Sequence, residues 1–246
     1  MMLAALRSEI RKVLSLRSTY IIFGLGMLLV LLMNGWVSGY KHSGDTGNSF
    51  TAGLITSTLQ GTSFLLGIIV LLQITQEYRH NTIYYTLTFA RRRASVILAK
   101  VVCASLIMLG GSVLFVAVGV ASGVIGVAAS GDSLGAQSIP WGEILTRGGM
   151  YAWGAGMYAL ILGLLIRNQV GSIVVYLFGA AIAEQLLGLL LKLNAGYLPF
   201  MALEGVMMQA KTDGVFSPEK SMAIVLGWII VAGMTAWLLF KRRDAN

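Results

Sequence analysis

Six stretches of the chain stay apolar over a length that crosses a bilayer, and charged residues gather at the ends of those stretches. A hydrocarbon core of about 30 Å takes roughly 20 residues of α-helix. On that ruler the pattern predicts spans over 20–40, 52–75, 95–129, 150–166, 170–191 and 222–240. The expected fold class is an all-α integral membrane protein, a single transmembrane domain over 1–246. The third stretch is too long for one straight crossing. Its Gly110-Gly111 pair permits a bend, and its outer end projects beyond the membrane or runs along its surface.

Ahead of the first span, MMLAALRSEIRKVLSLR at 1–17 repeats with a helical period. Leu3, Leu6, Ile10, Val13 and Leu14 fall on one face, and Arg7, Ser8, Arg11, Lys12 and Ser15 on the other. One reading is an amphipathic helix over 1–18 lying in the membrane interface, with Arg7, Arg11 and Lys12 toward anionic headgroups. The other is a solvated lead whose basic residues only set topology. The regular period favours the first. The apolar stretch that follows ends in NGWVSGYKHSG with no small-x-small cleavage site, so it is expected to be a retained span.

Composition agrees with the pattern. With 57% apolar and 11% charged residues in 246, the chain fits neither a soluble globular nor a disordered class. A net charge of +8 suggests nucleic acid only where basic residues share a folded face. Here they sit at span ends. Arg7, Arg11, Lys12, Arg17, Arg79, Arg91, Arg92, Arg93, Lys100, Arg167, Lys241, Arg242 and Arg243, thirteen of the eighteen, fall on the side of the two termini. Positive residues are retained in the cytoplasm, so a multi-pass protein of the cell membrane with both termini cytoplasmic is expected. Cys103 is the sole cysteine, which excludes an intrachain disulfide.

The search for catalytic chemistry is nearly empty. No Gly-Lys pair occurs, so there is no phosphate-binding loop of the GxxxxGK[ST] type, and neither a GxSxG elbow nor an HExxH helix is present. His42 and His80 fall on opposite sides of the membrane, so no two-histidine metal site forms within the chain. The chain is therefore not expected to be an enzyme or to hold a cofactor or metal. If ATP drives it, another chain binds the nucleotide.

Glu184, followed by Gln185, is the one acid set well inside a span. An ionisable group at that depth is either a functional group facing a hydrated interior, or a structural one bonded to a neighbouring helix. GVASG at 119–123, with Gly154 and Gly156, offers either a dimer seam or ordinary intrachain packing, the latter being the safer expectation. Arg167, Asn168 and Gln169 make a turn that leaves no room for a docking site. The outer segment 192–221 is too apolar for a wet loop and is expected to hold short re-entrant or interfacial helices.

The most specific feature is QEYRHNTIYYTLTFARRR at 76–93, between the second and third spans. Ile83, Leu87 and Ala90 at i, i+4 and i+7 give a short helix beneath the membrane an apolar face beside Tyr84. A topology-setting loop accounts for Arg91, Arg92 and Arg93, but not for the Tyr-Tyr-Thr-Leu-Thr-Phe spacing.

The lead SEIRKVLSLRSTY at 8–20, the segment QEYRHNTIYYTLTFARRRASVILAK at 76–100 and the six-span layout together resemble a permease of the type-2 ATP-binding-cassette (ABC) exporter family. The likeness covers nearly the whole chain, although only the first two pieces match residue by residue. It implies that the N-terminal helix lies along the inner surface and that 77–93 is a coupling loop docking on a separate ATPase. Glu77, Tyr78, Arg79, His80, Asn81 and Thr82 would begin the coupling helix, and Ile83, Leu87 and Arg91 to Arg93 would continue it. The resemblance further implies two permease chains, identical or homologous, above two ATPase subunits that bind the ATP and Mg. Few intramembrane charges point to an amphipathic or apolar cargo (a peptide antibiotic, drug or lipid). The competing classes are an ion-coupled secondary transporter, which normally needs several buried acids, and a non-transporting membrane anchor of a complex.

Overall fold

The computed structural model describes residues 2–40, 52–80, 93–129, 140–207 and 216–243. Among them the chain is all helical, with no strand. In order, α1 is Met2–Ser15, α2 Arg17–Tyr40, α3 Ala52–Arg79, α4 Arg93–Ala129 and α5 Trp141–Ile166. They are followed by α6 (Gln169–Phe178), a π-helical turn (Gly179–Ala183), α7 (Glu184–Leu191), a 3-10 turn (Lys192–Tyr197), α8 (Pro199–Met207) and α9 (Pro218–Arg243).

Among the described residues five helices, α2, α3, α4, α5 and α9, are long and apolar enough to cross a membrane. The chain thus has the make-up of a multi-pass membrane protein. The stretch expected as the fifth of six spans is built of three consecutive helical pieces of 10, 5 and 8 residues. α4 runs 37 residues, about 55 Å at 1.5 Å per residue, and its helix is unbroken at Gly110-Gly111. The role of that pair is close approach. A Cβ on Gly111 would stand 2.7 Å from Leu66 Cδ2 of α3, whereas one on Gly110 would meet nothing.

α5 and α3 form the centre: two thirds of the apolar window of α5 and half of that of α3 are buried, against 22% for α2 and 11% for α9. The outer faces of α2 and α9 therefore present side chains such as Leu25, Leu32, Ile230 and Met234 to the surroundings, as lipid-facing helices do. α2 packs on α4 through small residues. Gly126 lies against the Gly35 carbonyl and Gly119 against Val30, Asn34 and Thr58, so GVASG serves intrachain packing. Gly154 faces Leu203 and Gly156 faces Met108, again within the chain. Buried Asn34 joins α2 to α3, its Nδ2 donating to Thr58 Oγ1 at 2.9 Å.

After the 3-10 turn, α8 folds back onto the bundle. α8 buries Phe200, Ala202, Leu203, Gly205, Val206 and Met207. Phe200 joins an aromatic cluster with Phe64, Tyr158 and Tyr176, ring centroids 5.5–6.3 Å apart, which ties α8 to α3, α5 and α6. Trp228 Nε1 on α9 donates to the Tyr197 carbonyl at 2.8 Å. Apolar burial combined with satisfied backbone groups makes such irregular chain tolerable at membrane depth.

Gly126 carries a sharp prediction. In Gly126→Ala the new methyl would overlap the Gly35 backbone oxygen, which no rotamer change relieves, so α2 and α4 must part. A loss of about 1–3 kcal/mol is expected, seen as a lower melting temperature in mild detergent. Gly110→Ala, where a Cβ meets open space, should melt like the parent protein.

Candidate functional site

α1 buries Val13 and Glu9 and half-buries Leu6 and Ile10, while Leu3, Arg7, Arg11 and Leu14 stay exposed. Its inward face is therefore rotated toward Glu9 relative to the apolar stripe. This corrects the expected position of Lys12, which belongs to the docked side and not to an outward basic face. Leu3 and Leu14 remain outside beside Arg7 and Arg11, the combination a helix lying at an interface presents.

Glu9 and Lys12 meet charges from the ends of two spans. Lys12 Nζ lies 2.7 Å from Glu9 Oε1 and 2.6 Å from Glu77 Oε1. Lys100 Nζ lies 3.0 Å from Glu9 Oε2 and 2.8 Å from Glu77 Oε1. Two cations and two anions thus alternate in a closed ring, and Gln73 Nε2 adds a hydrogen bond to Glu9 Oε2 at 3.0 Å. Glu9, Glu77 and Lys100 are nearly inaccessible, with side chains 2–5% exposed, whereas Lys12 is about a third exposed at 34%. An isolated charge at such depth costs several kcal/mol, and the ring offsets this by leaving no net charge.

The ring joins α1, the last turn of α3 and the start of α4, the three elements around segment 81–92. Burial pushes the Glu9 carboxyl up, but the Lys100 and Lys12 ammonium groups outweigh it and hold Glu9 below the ordinary glutamate value of 4.5. Burial pushes Lys12 down, and Glu77 with Glu9 reverses this, so it titrates above the ordinary lysine value of 10.5.

The residues after Glu77 point elsewhere. Tyr78 lies under the Arg167 guanidinium, 5.1 Å from carbon to ring centroid. Arg79 Nη1 donates to Gln169 Oε1 at 3.3 Å. Arg167 closes α5 with φ 57°, left-handed, donating its N–H to the Gly163 carbonyl at 3.2 Å, and Asn168 caps α6 by accepting from the Gly171 N–H at 2.9 Å. A non-glycine residue pays roughly 1 kcal/mol for that conformation, and the stacking on Tyr78 offsets it. The turn expected to leave no room for a docking site instead helps line a cleft with Tyr78 and Arg79.

Of the residues expected to couple to a partner, the structure brings Glu77, Tyr78 and Arg79 together at the end of α3, with His80 exposed just beyond. Asn81, Thr82, Ile83, Leu87, Arg91 and Arg92 lie outside the described residues, and Arg93 opens α4. Glu184 has a structural task. Its Oε2 accepts the Phe200 and Met201 N–H groups at 2.8 and 2.9 Å, satisfying the start of α8 after Pro199. The π-helical turn just before it shifts the register, so that Glu184 is buried while Gln185 and Leu186 are exposed. Among the described residues no group of His, Cys, Asp and Glu is arranged to hold a metal ion.

Sequence reasoning missed Glu9, Gln73 and the pairing of Lys12 and Lys100 with Glu9 and Glu77. The available signal was a lone acid in a basic helix.

A family model described as a protein of unknown function, DUF2705, matches residues 27–245. The chain belongs to the DUF2705 family. No curated protein matches it. In this DUF2705 protein Gln73, Glu77 and Lys100 fall within the matched region, and Glu9 and Lys12 precede it.

The ring makes stability depend on pH with a defined sign. Glu9, lowered in the fold, contributes stability above the ordinary glutamate value of 4.5 and loses it as pH falls through its folded value. Lys12, raised, contributes below 10.5 and loses its share as pH rises through its folded value. In detergent melts, the gap between the parent protein and Glu9→Gln should be widest at about pH 7 and close toward about pH 3. A gap independent of pH would remove Glu9 from the ion ring.

Proposed function

We propose that this chain is the transmembrane permease subunit of an ATP-driven ABC exporter. It would form the translocation pathway as a dimer with an identical or homologous chain and couple to separate ATPase subunits that bind the ATP and Mg. The cargo class is amphipathic or apolar. Both termini and segment 77–93 are cytoplasmic in this reading, following the distribution of basic residues.

The observation that carries the proposal is the ring of charges at the root of segment 81–92. A loop that receives a push transmits it only if both its ends are fixed to something stiff. Here Glu77 on the entering helix and Lys100 on the leaving helix share one buried ion cluster, and α1 is bound into the same cluster. Displacing the loop therefore moves α1, α3 and α4 as one body, the rigid-lever behaviour that ATP-driven closure of a partner requires. A mere topology-setting loop needs no such root.

Glu184 bears on the competing class. Ion coupling asks for acids free to exchange a cation, and the one acid deep in the predicted spans is committed to two backbone N–H groups.

The test is co-purification from native membranes with mass spectrometry, followed by substitution. An ABC ATPase is expected to accompany the tagged chain. Ile83→Ala combined with Leu87→Ala should cut the retained ATPase by roughly tenfold or more, since truncating two apolar anchors costs on the order of 1 kcal/mol each or above. Membrane insertion should be unchanged. Undiminished ATPase, or no ATPase with the parent chain, counts against the permease reading.

A further inference from the structure

The cleft between the end of α3 and the α5–α6 turn has a chemistry that the ion ring does not use. Its volume is about 390 Å3, and it is lined by Tyr78, Arg79, Arg167, Asn168, Gln169 and Val170. Among the described lining residues there are two guanidinium groups and no carboxylate, and Glu77, the neighbouring acid, contributes an oxygen to the ring. The Gln169 carboxamide holds Arg79 at the cleft, and the Tyr78 ring holds Arg167 there. Arginine forks suit phosphate oxygens, which they bind in pairs of parallel hydrogen bonds. The start of α6 adds the positive end of a helix dipole on the same side.

The rim of the cleft is apolar in one direction. Val170 is 70% exposed, and Val174 at 45% and Phe178 at 57% follow it at i+4 and i+8. They form a strip along α6 that starts at the cleft and leads away from it. A cationic cleft continued by an exposed apolar strip matches a molecule with a phosphate at one end and hydrocarbon at the other.

We propose that this cleft binds the phosphate of an anionic phospholipid headgroup, between Arg79 and Arg167, with an acyl chain lying along Val170, Val174 and Phe178. The phosphate chemistry is shared with soluble phosphates, and the apolar strip favours the lipid. The site requires no ATPase and stands apart from the transport reading. By occupying the seam where α3 meets the α5–α6 turn, a bound lipid would add a link beside the Arg79–Gln169 and Tyr78–Arg167 contacts.

The full-length chain in neutral detergent tests this, with bound lipid counted by native mass spectrometry. Short-chain phosphatidylglycerol should bind roughly tenfold or more tightly than short-chain phosphatidylcholine, the scale of one charge-assisted hydrogen bond. Arg79→Gln and Arg167→Gln should each remove most of that preference, and Arg79→Lys, which keeps the charge, should remove less. Arg79 is exposed, so its substitution leaves packing intact, which an unchanged melting temperature verifies. Arg147→Gln is the control, because Arg147 pairs with Glu143 at 2.6 Å near the start of α5 and should not affect lipid binding. Equal binding of the two lipids, or a preference unchanged in both glutamine variants, overturns the proposal. So does displacement of phosphatidylglycerol by an equal concentration of inorganic phosphate, which would assign the cleft to a soluble anion.

Discussion

Four charges that must stay together organise one end of this molecule. Glu9, Glu77 and Lys100 are buried almost completely, and Lys12 closes the ring from the edge. Removing any one member leaves an uncompensated charge in a poorly solvated place, a situation that costs about 3–5 kcal/mol when a buried pair is broken. Several features follow from that constraint. α1 is held against the bundle with Glu9 inward although its apolar stripe alone would seat it differently. α3 continues to Arg79, a full turn past the end of its apolar stretch, because Glu77 has to reach Lys12 and Lys100.

The last turn of α3 acts as a hub, because successive helical residues point about 100° apart. Glu77 enters the ring, Tyr78 supports Arg167, and Arg79 reaches Gln169. Three consecutive residues thus connect α3 with α1, with α4 and with the α5–α6 turn. The segment beginning at 81 is rooted in this hub, which is why a force applied there would be felt across the bundle. The lipid proposed for the neighbouring cleft would act on the same hub from the membrane side, so headgroup binding and partner docking would bear on one structural element.

Much of this was legible in the sequence, and the remainder has physical reasons. Five of the six expected spans were readable because some twenty apolar residues together have few other uses, and α1 because its period is regular. The ring was not readable. Glu9 stands alone among basic residues, and beyond Lys12 its partners lie 64 and 91 positions away, a separation that periodicity does not encode. Lys12 and Lys100 were counted as topology-setting charges, which a basic residue near a span end resembles until its partner is known. Gly110-Gly111 suggested a bend, but a glycine pair also signals close approach, and the contact of Gly111 with Leu66 shows which applies. The π-helical turn before Glu184 leaves no trace in GAAIA, whose residues suit an ordinary α-helix equally well.

The most direct measurement is a double-mutant cycle across the ring, with Glu9→Met, Lys100→Met and the double variant melted in the same mild detergent. Each single variant strands a buried charge and should melt well below the parent protein. The double variant removes one ion of each sign, so it should lose less than the two singles together, by on the order of 1 kcal/mol or more of coupling. Strictly additive losses would contradict the account, because they would mean that Glu9 and Lys100 do not feel each other and that α1 is held to the span ends by something else.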